Sequence, residues 1–173
     1  MVEMFKTFCL ETRADRAAVA TLAKTLPDDW HAVELTAASS DSPYLKNDMW
    51  AKLETSRGKT DPTDLDNGRP FGLSSSVLRT KDAEVCGVAG ELTPSFSLSS
   101  LGIPGLVVSD VRTYGGGSFG GAFAIDGERF FIMKTVQPTF TALELYHKTG
   151  CPDEAVLAEG KWGAMFRCGT PTP

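Results

Sequence analysis

The sequence predicts an α+β protein, with a βαβ-type segment at the N-terminus and an antiparallel sheet after it. Three observations lead there. In "TRADRAAVATLAKTLP", residues 12–27, Ala18, Val19, Leu22, Ala23 and Leu26 recur with the helical period of about 3.6 and form one apolar stripe. From Leu73 onward that period gives way to short β-type runs separated by turn residues. Within that half, Asp126-Gly127 stands between two apolar runs, a strong short-range hairpin signal. The chain has 173 residues, 42% hydrophobic and 23% charged, which suits one folded domain or one domain with a small appendage.

Taken in order, "MFKTFCLETR" has β-type composition and reads as an opening strand. The helix of residues 12–27 follows, with Thr12 and Asp15 spaced as a capping box and Pro27 as its stop. "WHAVELTAA" reads as a second strand, with His31 as a strand-edge residue. "SPYLKNDMWAKLETS" reads as a short helix capped by Ser42, with Tyr44, Leu45, Met49, Trp50 and Leu53 on one face. Residues 1–57 thus form a βαβα segment. Residues 58–72, dense in Gly, Pro, Asp and Asn, form the linker. Its Asp61, Asp64 and Asp66 lack the glutamate that closes a calcium loop, so they read as a solvated acidic stretch.

Residues 73–173 read as an antiparallel β-rich domain. "SSSVLRT", "EVCGVAGEL" and "LVVSDVRTY" are strands, with "TPSFSLSSLGIPG" a short helix or irregular link between the last two. "YGGGSFGGAFAIDGERFFIMKTV" is a glycine turn, a strand, a tight turn and a second strand. "FTALELYHKTG" has spacings that permit a helix stopped by Gly150, and "LAEGKWGAMFRCG" reads as a closing strand pair. Trp30, Trp50 and Trp162 read as core or partner-interface anchors.

Composition excludes several functions. Net charge is −5 without a Lys/Arg cluster, a poor surface for nucleic acid or an anionic membrane. No apolar run approaches the ~20 residues that span a bilayer. No signal peptide is visible at the start, although a presequence already removed would leave no trace. The expected setting is soluble, cytoplasmic or an organelle interior. Cys9, Cys86, Cys151 and Cys168 are far apart and form no CxxC, so they read as reduced, buried thiols. Cys151 and Cys168 are the pair that an oxidising compartment would join. His147 and Cys151 suit a metal on a helix face but find no third ligand nearby, which argues against zinc.

Gly115, Gly117 and Gly120 satisfy G-x-G-x-x-G. A dinucleotide fingerprint needs a helix to start there, and an alternating strand follows instead. Strand, glycine turn, strand, tight turn and strand with lysine is the order of kinase-like N-lobes, where backbone N–H groups approach phosphate and the lysine neutralises it. By alternation Lys134 shares a face with Phe130, Ile132 and Val136. "SFGGAFAIDGERFFIMKTV" resembles the phosphatidylinositol-phosphate kinases through Ser118, Phe119, Asp126, Arg129, Phe130, Ile132, Lys134, Thr135 and Val136. More loosely, "LTPSFSLSSLGI" resembles the segment before the first strand of that family.

The resemblance implies a five-stranded antiparallel N-lobe. Gly115, Gly117, Ser118, Phe119, Gly120 and Lys134 would form the ATP-phosphate site, with Glu144 on a following helix as the partner of Lys134. No H-R-D or D-F-G follows Lys134, so the metal and catalytic Asp residues of phosphoryl transfer have no counterpart. The expectation is a non-catalytic interaction or assembly subunit without a resident cofactor, bound to a protein partner. The alternative is a small phospho-ligand protein, for ATP or an inositol phosphate, or an unassigned transferase, using the Gly115–Gly121 loop and Lys134.

Overall fold

The computed structural model describes residues 1–33, 44–52, 71–78, 83–90, 96–113, 116–136 and 141–148. Helix α1 (Val2–Phe5) runs directly into a π-helical turn, Lys6–Leu10. Phe5, Phe8 and Cys9 lie at i, i+3 and i+4 on one face and are buried. The expected opening strand is therefore a helix, because that spacing outweighs the β-type composition. Arg13 and Ala14 both adopt positive φ and reverse the chain. Helix α2 (Arg16–Leu22) follows, continued by a 3₁₀ turn, Ala23–Thr25. Asp15 is its N-cap and accepts a 2.7 Å hydrogen bond from the Ala18 amide. Thr12 does not cap α2; its hydroxyl donates backwards to the Phe8 carbonyl.

Among the described residues eight strands follow: β1 (Trp30–Val33), β2 (Tyr44–Lys52), β3 (Phe71–Leu78), β4 (Ala83–Gly90), β5 (Val107–Thr113), β6 (Gly116–Ile125), β7 (Glu128–Val136) and β8 (Thr141–Lys148). They form one antiparallel sheet in the order β1-β2-β3-β4-β8-β7-β6-β5. Two four-stranded meanders thus join through β4 and β8, with Val88 opposite Leu143 and Cys86 opposite Leu145.

Two expected helices are strands. Residues 44–52 pair as β2 with both β1 and β3, and residues 141–148 pair as β8 with both β4 and β7. Strands on both sides of the expected 58–72 linker belong to the same sheet. Residues 58–70 of that expected linker, the closing strand pair, Trp162, Cys151 and Cys168 lie outside the described residues, while Phe71 and Gly72 open β3. The remaining strands stand where alternation and turn residues put them, and His31 is an exposed residue of the outer strand β1.

The core lies between the two N-terminal helices and one face of the sheet. Leu73 (β3), Cys86 and Val88 (β4), Leu143 and Leu145 (β8) and Ile132 (β7) meet Phe5, Cys9 and Val19 there. Trp30 and Trp50 are partly buried against the same cluster. A disulfide between Cys9 and Cys86 ties α1's continuation to β4, so these two cysteines are paired rather than reduced. Polar ties reinforce the packing: Arg16 on α2 reaches Asp48 on β2, and Arg13 reaches Asp126 and Glu128 at the β6–β7 turn. That turn has positive φ at both Asp126 and Gly127, the type I′ geometry that Asp-Gly favours.

Candidate functional site

The sequence-predicted site centres on β5, β6 and β7. Gly117, Ser118, Phe119 and Gly120 are strand residues, and Gly115 lies outside the described ones. Ser118 is opposite Val111 on one side and Thr135 on the other; Phe119 is opposite Asp110 and Lys134; Gly120 is opposite Ser109 and Met133. A phosphate cradle needs backbone N–H groups that point at a ligand. Here the run from Ser118 to Gly121 is paired with neighbours on both sides, which directs its amides into the ladders. The glycines also serve packing: a Cβ at Gly121 would stand 2.8 Å from Leu106 Cδ1 and 3.2 Å from the Val107 carbonyl oxygen.

Lys134 sits on the helix-facing side of β7, opposite Phe119 and Leu143, as alternation implies. Its side chain is only 5% exposed. Nζ donates a 2.7 Å hydrogen bond to the Phe96 carbonyl and lies 5.6 Å from the centre of the Phe96 ring. Burial holds the amine below the ordinary lysine range. Phe96 precedes a 3₁₀ turn, Leu98–Leu101, whose Leu98 and Leu101 are buried and which packs against β6. Lys134 therefore ties the 96–101 segment to the sheet. The sequence marks Phe96 only as a residue of an irregular link, and its pairing with Lys134 spans 38 residues, beyond any periodicity.

Glu144 is not the partner of Lys134. It lies on β8 opposite Met133 and Gly87, hence on the other face of the sheet. Its carboxylate accepts a 3.0 Å hydrogen bond from the Tyr146 hydroxyl. Burial pushes the Glu144 carboxyl above the usual carboxylate range, and the Tyr146 hydrogen bond opposes this. Gly87 makes the room: a Cβ there would stand 3.3 Å from Glu144 Cγ and 2.9 Å from Ser74 Oγ. Ser76 on the same face donates to the Asn47 side chain at 2.7 Å. Sequence reasoning missed this row because it placed Glu144 on a helix, where Tyr146 would point elsewhere.

The geometry thus separates Lys134 from its expected partner Glu144 and engages the amine with main chain. Among the described residues no group of three or more His, Cys, Asp or Glu is arranged to hold a metal ion. No described helix is long and apolar enough to cross a membrane. No family model matches the chain, and neither the curated proteins nor the solved structures give a significant match.

Proposed function

We propose that the chain is a non-catalytic interaction or assembly subunit, built on a hairpin order that resembles the N-lobe of phosphatidylinositol-phosphate kinases. The observation that carries this reading is the engagement of Lys134 with the Phe96 carbonyl, 5% exposed beneath the sheet. An amine in that position neutralises phosphate only by breaking a buried hydrogen bond, at a cost of about 1–3 kcal/mol. The pairing of Ser118 to Gly121 on both sides argues the same way against a glycine cradle. By contrast, the outer strand β5 carries the exposed side chains of Val107 and Val108, a feature suited to contact with another protein.

Thermal melts with ATP and with inositol hexakisphosphate test the reading. A site filled at a hundred times its Kd stabilises the fold by about 2.7 kcal/mol. The interaction subunit should show no shift at millimolar ligand. A saturable shift abolished by Lys134→Met would replace it with the phospho-ligand alternative.

A further inference from the structure

The structure narrows the partner of that interaction surface, an inference that rests on the reading just given. β5 ends the sheet, and among the described residues it pairs with β6 alone. Its seven residues, "VVSDVRT", run in unbroken register from Val107 opposite Ala122 to Thr113 opposite Gly116. Free edges are ordinarily protected by Pro, charged side chains, a bulge or extreme shortness; β5 has neither Pro nor bulge, and its two charged residues, Asp110 and Arg112, are of opposite sign. Val107 and Val108 are 57% and 39% exposed. The other outer strand, β1, is four residues long, and an ion pair from Lys52 to Asp29 flanks it.

The sequence of β5 is self-complementary in one antiparallel register. With a two-fold axis through Val111, position 110 of each copy stands opposite position 112 of the other. An acidic residue then meets a basic one twice. Moving the register by two residues, which keeps the same faces together, sets Asp110 against Asp110 or Arg112 against Arg112. Like charges directly opposite destabilise a strand pair, and opposite charges stabilise it. Of these three registers only the Val111-centred one is favourable.

We propose that β5 pairs antiparallel with β5 of a second copy of this chain about an axis through Val111, giving one sheet continuous across two molecules. No other partner chemistry is needed at this edge: main-chain hydrogen bonds supply the affinity, and the Asp110/Arg112 pattern supplies the register.

Sedimentation equilibrium of the full chain tests the pairing. Wild type should dimerise, and Arg112→Asp should weaken the dimer about tenfold or more by setting two acidic residues against each other. The double exchange Asp110→Arg with Arg112→Asp should restore it, which a merely misfolded variant would not do. Independently of charge, Val111→Cys should yield a reducible covalent dimer on a non-reducing gel, above the wild-type background. A wild-type monomer at all concentrations, failure of the double exchange to restore association, or no cross-link at position 111 would each overturn the proposal. A monomeric chain that still binds a different protein through β5, and loses it on Val107→Lys, leaves the interaction reading standing without the self-pairing. A chain that neither self-associates nor binds a partner removes both.

Discussion

Two ionisable side chains within the sheet, Lys134 on β7 and Glu144 on β8, face opposite ways and are both disfavoured in their charged forms by burial. Their consequences for stability have opposite signs. The folded value for Lys134 lies below 10.5, so its share of stability grows as pH rises from the folded value towards 10.5. The folded value for Glu144 lies above 4.5. Below 4.5 both states hold the proton and its share is fully present; as pH rises, the unfolded chain ionises first and that share is lost up to the folded value. Glu144→Gln keeps an acceptor for the Tyr146 hydroxyl and removes the ionisation. Thermal melts should find the variant and wild type alike near pH 4, with the variant the more stable at pH 8. A variant that matches wild type near pH 4 but is the less stable at pH 8 would mean that the ionised carboxylate is the form the fold prefers. The side of the sheet that Lys134 occupies was legible, because alternation with Phe130 and Ile132 requires no knowledge of tertiary structure. The Phe96 carbonyl beneath it was not, since a main-chain acceptor carries no signature in side-chain chemistry.

At the level of elements, the β6–β7 hairpin was the most readable part of the chain. Asp126-Gly127 has the residues that two positive φ angles demand, and the flanking runs alternate. The strands β2 and β8 were misread for one shared physical reason. Both are inner strands of the sheet with apolar residues directed to both faces: Met49 beside Trp50, and Leu145 beside Tyr146. Two-sided placement of apolar side chains breaks a clean period of two and leaves spacings that imitate a helix. The opposite error at α1 had its signal in plain view, in the i, i+3, i+4 spacing of Phe5, Phe8 and Cys9. Glycine in β6 also has an element-level meaning, as close approach rather than flexibility. Gly121→Val should cost about 1–3 kcal/mol in urea unfolding, because its Cβ meets the Leu106 side chain and the Val107 carbonyl and forces both to shift. An unchanged midpoint would show that β5 yields at that point.

For the whole molecule, the Cys9–Cys86 bond joins the helical layer to the middle of the sheet across 77 residues of sequence. Such a separation is invisible to local reading: four widely spaced cysteines permit several pairings, and only tertiary placement selects one. Closing a loop of that length in the unfolded chain is worth about 4 kcal/mol. Guanidinium unfolding of the Cys9→Ala/Cys86→Ala variant should reveal a loss of that order, and wild type treated with reductant should shift towards it. Peptide mapping without reduction should recover the two cysteines on one linked fragment; free thiols at both positions would contradict the pairing.

The seam between β4 and β8 carries a consequence for biosynthesis. As the chain leaves the ribosome, β4 is finished long before β8 exists, and its outer hydrogen-bonding groups have no native neighbour until Thr141–Lys148 emerges. Every nascent copy therefore passes through a stage with a bare, aggregation-prone rim in what will become the centre of the molecule. Slow translation through the intervening hairpins would lengthen that exposure, and a chaperone that shields extended segments would shorten the risk.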